Sequence, residues 1–146
     1  MNLSYPVTVE NYPDTWIVQF IDIPGAITEG KTREEALHNA EDCLDVALLC
    51  LFDDGDPFPP TASSEGDAWV SPTAPIAAKL AVMMAWRDSG LSKSDLARRL
   101  RKSESEVRTR ILNPRHNTAL ATLDAAARAL GSRLTVDIAP VSGSQA

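Results

Sequence analysis

Four carboxylates stand where metal chemistry could be drawn. Asp22 ends a strand-like run, and Glu41, Asp42 and Asp45 fall on a stretch with helical apolar periodicity. Carboxylates converging from a strand end and a helix can hold paired Mg²⁺ ions for phosphodiester hydrolysis. The pattern stops short of a site. Asp22 opens Asp22-Ile23-Pro24-Gly25, a turn in which a carboxylate caps backbone N–H groups, and the three helix acids lie off the apolar stripe, facing solvent. His38 and His116 are the only histidines, with no Cys or Ser arranged beside them for nucleophilic attack. No glycine-rich phosphate loop occurs. Cys43 and Cys50, the only cysteines, stand seven apart in an apolar helical pattern and are expected as small buried side chains on one face. Two helical turns hold their Cα atoms about 10 Å apart, too far for a disulfide. No second Cys pair or His cluster completes a zinc site. The expectation is a protein that is not an enzyme and takes no metal or cofactor.

Binding is where the charge points. Residues 1–70 hold Lys31 and Arg33 against fourteen acids, a net −12, whereas the remainder holds twelve basic residues against six acids, a net +6. The overall −6 conceals this division. A cationic half can follow a phosphate backbone, and an anionic half suits a basic protein. The opening MNLSYPVTVENYP lacks the basic and apolar regions of a secretory signal, and the apolar run Val46 to Phe52 is too short to span a bilayer. A cytoplasmic protein with no membrane partner is expected.

The elements that position these charges follow from local chemistry. Tyr5–Glu10 and Thr15–Ile21 read as strands around the turn Tyr12-Pro13-Asp14, and Pro24-Gly25 turns the chain into a third, Ala26–Glu29. Thr32-Arg33-Glu34-Glu35 is a capping box for a helix whose stripe is Ala36, Ala40, Cys43, Leu44, Ala47, Leu48 and Leu51, stopped at Asp53-Asp54-Gly55-Asp56-Pro57. A Pro-, Ser- and Thr-rich linker over residues 57–75 contains a possible last strand near 68–70. Residues 1–60, with that last strand, thus form an α+β module of order β-β-β-α-β. Residues 76–146 read as short helices: Ile76–Asp88 with Ala77, Leu80, Ala81, Met84 and Ala85 inward, Lys93–Leu100 capped by Ser92, Glu104–Leu112 capped by Ser103, and one starting at Thr118 or Thr122 and closed by Gly131. Arg133–Ile138 alternates as a strand with no partner in its own module, so it must pair with a second chain or with the other module; strand exchange in a homodimer, or a tetramer of such dimers, is the favoured expectation.

Leu96-Ala97-Arg98-Arg99-Leu100 followed by Ser103-Glu104-Ser105-Glu106-Val107 resembles the helix-turn-helix of Cro-like repressors, with the small Ala97 where two helices cross. The resemblance implies a recognition helix capped by Ser103, with Glu104, Ser105, Arg108 and Thr109 toward base edges and Ser92, Lys93, Arg115 and Asn117 toward phosphates. Two positions depart from that pattern. Arg101 stands where the family has Gly, and Arg110 stands where the next inward residue belongs, the apolar one being Ile111.

The segment from Phe20 to Thr32, FIDIPGAITEGKT, with Glu34-Glu35-Ala36 and Asn39-Ala40, resembles the HicB antitoxin family. Its form with a helix-turn-helix is similar to this chain as far as Ile138. The resemblance implies a partial RNase H-like module without catalytic carboxylates, which blocks a HicA-like toxin, a small basic mRNA-cleaving protein. It also implies repression of the toxin–antitoxin operon through operator DNA. Glu29, Glu34, Asp53, Asp54 and Asp56 are candidate toxin contacts. The alternative is a stand-alone transcription regulator whose first module senses a small molecule.

Overall fold

A computed structural model of the chain describes residues 2–61 and 65–141. Those described residues are α+β, with one four-stranded antiparallel sheet and five α-helices. The chain divides into two compact units. The second runs from Ala74 to Asp137, and the first comprises the described residues before Ala74 together with those from Ile138 on.

The first unit holds β1 (Tyr5–Asn11), β2 (Trp16–Phe20), β3 (Ile27–Gly30), α1 (Arg33–Asp53) and β4 (Ala68–Val70), with sheet order β3-β2-β1-β4. The β1–β2 hairpin closes where Tyr12 N–H donates to Thr15 O at 2.8 Å. In the second turn Ala26 N–H donates to Ile23 O at 3.2 Å, Pro24 supplies its fixed φ, and Gly25 takes φ 81°. The register pairs Val7 with Phe20, Val9 with Val18 and Tyr5 with Val70, so the alternation of the strands sends Tyr5, Val7, Val18, Phe20 and Val70 to one face. All five are buried. The other face carries Glu10, Ile17, Gln19, Ile27, Glu29 and Trp69, with Ile27 and Trp69 exposed.

Helix α1 starts where the Thr32 hydroxyl accepts from Glu35 N–H at 3.1 Å. It ends at Gly55, which takes φ 76°, while Asp56 N–H returns to Leu51 O at 2.9 Å. Ala36, Leu37, Ala40, Leu44, Leu48 and Phe52 form its buried stripe. Its first turn rests on bare backbone: a Cβ at Gly30 would lie 2.4 Å from Ala36 N.

Two expectations for α1 are corrected. Cys43 is only half-buried and Cys50 is exposed. At 100° per residue the stripe centres near Leu44 and Leu48, and Cys50 lies roughly 130° round the helix from that centre. Asp45, expected in solvent, is buried on the stripe's other margin and hydrogen-bonded to Thr73.

The second unit holds α2 (Ala74–Ser89), α3 (Lys93–Leu100), α4 (Glu104–Glu106), a π-helical turn (Val107–Ile111) and α5 (Leu120–Ala129). Its core is made by Leu80, Val82, Met83, Leu96, Ala97, Val107, Ile111, Leu123, Ala126 and Ala127. Ser92 completes a reciprocal capping box with Asp95. The close of α5 follows expectation: Gly131 takes φ 84° and Ser132 N–H reaches back to Ala127 O at 2.9 Å.

Three expectations fail in this unit. The inner face of α2 carries Lys79, Leu80, Val82 and Met83 rather than the Ala77–Leu80–Ala81–Met84–Ala85 stripe. Reading Lys79 as polar hid the true i, i+3, i+4, i+7 row of Ile76, Lys79, Leu80 and Met83. The single helix expected over Glu104–Leu112 is one α-turn followed by the wider π-turn, closed by Leu112 N–H to Val107 O at 2.9 Å. Helix α5 starts after Ala119 with no side-chain cap, since the Thr118 hydroxyl is spent elsewhere. Arg133–Ile138, expected to find its strand partner outside its own module, has no regular secondary structure in the single chain.

Candidate functional site

The nine residues expected at DNA all lie in the second unit, on the start of α3, on α4 with the π-turn, and on the loop after it. Ser92, Ser103, Glu104, Ser105, Arg108, Thr109, Arg115 and Asn117 are exposed, and Lys93 is half-buried with its ammonium 5.8 Å from the Trp86 ring centroid. Ser92 and Ser103 accept from Asp95 N–H (3.0 Å) and Glu106 N–H (3.1 Å), each hydroxyl capping the first turn of its helix. Thr109 donates its proton to Ser105 O at 2.7 Å, so it can only accept from a further partner. Arg108 lies 3.7 Å from Glu104 across one turn, an exposed pair that a competing phosphate or base can open. Asn113 closes the loop onto itself, its side-chain carbonyl accepting from Arg115 N–H at 3.0 Å. Hydrogen bonds from Ser92 hold the Asp95 carboxyl below the usual carboxylate range, with Arg98 and Arg99 adding to the effect.

The turn between α3 and α4 depends on Arg101. It is the only non-glycine residue with positive φ among the described residues, at 55°. Its left-handed backbone lets Lys102 N–H return to Ala97 O at 3.0 Å, closing α3 as a glycine would.

The π-turn resolves the misfit between Arg110 and Ile111. One extra residue per turn carries Arg110 outward and Ile111 in, and both Val107 and Ile111 are buried. Pattern matching missed Lys79. Its side chain, 3% exposed, donates to Arg110 O at 2.8 Å and Thr118 Oγ1 at 2.5 Å, and burial pushes its pKa down to about 8. The sequence signal was Pro114, four residues after Arg110, which lacks the N–H that would otherwise donate to that carbonyl. An open cleft of about 560 Å³ runs beside Lys79, lined also by Ile76, Arg115, His116 and Leu120.

The five acids proposed for a protein partner lie in the first unit and are all exposed. They do not form one patch. Glu29 sits on the open face of the sheet and Glu34 in the first turn of α1. Asp53, Asp54 and Asp56 cluster at the far end of α1, about 28 Å from Glu34 at 1.5 Å per residue. Among the described residues no three His, Cys, Asp or Glu side chains gather as a metal site, and no helix is long and apolar enough to cross a membrane.

A family model described as "HicB_like antitoxin of bacterial toxin-antitoxin system" matches residues 4–81, which span the whole sheet, α1 and the start of α2. The chain belongs to the HicB-like antitoxin family. Antitoxin HicB 1 of Photorhabdus laumondii is 38% identical over 138 residues, covering 94% of this chain and 88% of that one. Antitoxin HicB of Escherichia coli K12 is 34% identical over 136 residues, covering 92% and 98%. Antitoxin HicB of Pseudomonas fluorescens is 30% identical over 137 residues, covering 92% and 93%. These alignments extend well past the family model, so the HicB likeness takes in much of the second unit. An antitoxin of a bacterial toxin–antitoxin system implies a toxin as the partner in that system.

Proposed function

We propose that this HicB-family chain neutralises a small basic mRNA-cleaving toxin of the HicA kind through its first unit and represses its own operon through its second. The first unit is a partial RNase H-like fold that has kept the sheet and helix and uses its surface for occlusion. The second is a Cro-like helix-turn-helix in which α3 lies across the backbone and α4 with the π-turn enters the major groove. Two copies, joined through the segment after α5, would read a two-fold operator with half-sites about one helical turn apart. The protein would act in the cytoplasm, where both targets are.

The observation that carries this reading is the partition of charge between separate units: −12 over residues 1–70 and +6 over the rest. An anionic surface speeds encounter with a basic nuclease, and a cationic one releases counterions from DNA. The toxin contacts proposed are Glu29 and Glu34 at one end of α1 and Asp53, Asp54 and Asp56 at the other. A toxin touching both groups must cover the length of the helix.

A search for a short basic reading frame beside this one, and co-expression with it, test the first half. Pull-down of that product, and rescue of growth from it, are expected. The second half is tested on duplex from immediately upstream of the reading frame. Binding should weaken steeply with salt, whereas a chain that uses its second unit only to dimerise would neutralise toxin without preferring that DNA.

A further inference from the structure

A buried lysine with no carboxylate is an expensive way to fill a core. Lys79 forms no ion pair among the described residues, and its ammonium is held by a carbonyl and a hydroxyl alone. Desolvation depresses its pKa for that reason. A methionine of similar length would fill the row between Ile76 and Met83 without stranding a charge. Packing therefore does not account for a lysine here, and its two partners do.

Arg110 O lies at the end of the π-turn, where helix carbonyls point outward without intrahelical partners. Its α-helical partner would be the nitrogen of Pro114, which carries no hydrogen. Instead it accepts from Lys79 Nζ, from Thr118 Oγ1 at 3.0 Å and from Asn113 N–H at 3.3 Å. Thr118 Oγ1 donates to Arg110 O, accepts from Lys79 Nζ and lies 2.9 Å from His116 Nδ1. One ammonium on α2 thereby ties together the end of the π-turn and the loop 113–118. Between those two ends lie Arg115 and Asn117, and one turn back lie Arg108 and Thr109. A positive charge at a helix C-terminus is also favoured by the helix dipole.

We propose that Lys79 is a positioning residue for DNA recognition: its contacts with Arg110 O and Thr118 fix the rotation of the π-turn and the path of loop 113–118, and so the placement of Arg108, Arg115 and Asn117. This rests on the DNA-binding reading above. Lys79 itself touches no DNA. It acts through the carbonyl and the hydroxyl it holds.

The test uses the full chain, Lys79→Met and Thr118→Val, with the duplex from immediately upstream of the reading frame and a scrambled duplex of equal length. Binding is followed by anisotropy over a salt series, at a temperature where circular dichroism reads every variant as folded. Both variants are expected to lower the ratio of upstream to scrambled affinity by roughly tenfold, the scale of one lost bidentate base contact, while binding to the scrambled duplex stays as in the unmodified chain. A role confined to stability would lower the melting temperature and leave that ratio untouched, which would overturn the proposal. If Lys79→Met does not fold, Thr118→Val decides alone. A missing preference in the unmodified chain would remove the DNA-binding reading and this proposal with it. A preference kept in full by the folded variants would remove this proposal only.

Discussion

Thr73 occupies both oxygens of the Asp45 carboxylate, its N–H donating to Oδ1 at 2.9 Å and its hydroxyl to Oδ2 at 2.7 Å. The carboxylate is buried on α1, and its partner lies just beyond β4. Burial raises the Asp45 pKa, the two Thr73 bonds lower it, and the Asp42 charge raises it again, with burial prevailing. Asp45→Ala should destabilise the first unit by about 1–3 kcal/mol, the scale for orphaning buried partners. Urea unfolding of the full chain, followed by the tryptophan signal, would measure it. A shift in midpoint no larger than that of an exposed Asp42→Ala control would show that the clamp does not matter.

Lys79 gives stability a definite pH dependence. Its pKa is pushed from 10.5 down to about 8 in the folded chain. Between those values the unfolded chain still holds a proton that the folded chain has released. Unfolding then takes up a proton, so raising the pH through this window stabilises the fold. The unmodified chain should therefore gain melting temperature relative to Lys79→Met between pH 8 and 10.5, and parallel profiles would contradict that.

Arg101 holds a backbone conformation that glycine adopts without strain. Arg101→Gly should raise the stability of the second unit by about 1 kcal/mol, the lower end of the left-handed penalty for a residue with a Cβ. Chemical denaturation checks the sign. If the upstream duplex is bound more weakly by this stabilised variant, the guanidinium has a role at the phosphates that explains the strained residue.

Arg108→Ala separates the two proposed activities. Specific binding to the upstream duplex should weaken by about 1–3 kcal/mol, while growth rescue from the toxin is unchanged. Loss of both in a folded variant would mean that the units do not divide the work.

Local chemistry was legible in the residues, and tertiary compensation was not. Pro24-Gly25, Thr32, Ser92, Ser103 and Gly131 act within four or five residues of chain, so their turns and caps could be read directly. Lys79 and Asp45 were misread because a hydrophobic pattern treats every charge as outward, and their partners Arg110, Thr118 and Thr73 lie 28 to 39 residues away. The π-turn announced itself only as a mismatch: Ile111 stood one place beyond the inward position that an ordinary helix assigns to Arg110. The candidate acids were legible as charge but not as place, since their separation is set by the full length of α1.

Where Gly30 meets Ala36, only main chain lies between strand and helix. Layer spacing at that point is set by covalent geometry and not by any choice of side chain. Enlarging a residue farther along, at Val18 or Leu44, cannot lift the two layers apart evenly. It can only tilt them about this fulcrum, and the strain would be greatest at the opposite end of the helix, around Phe52.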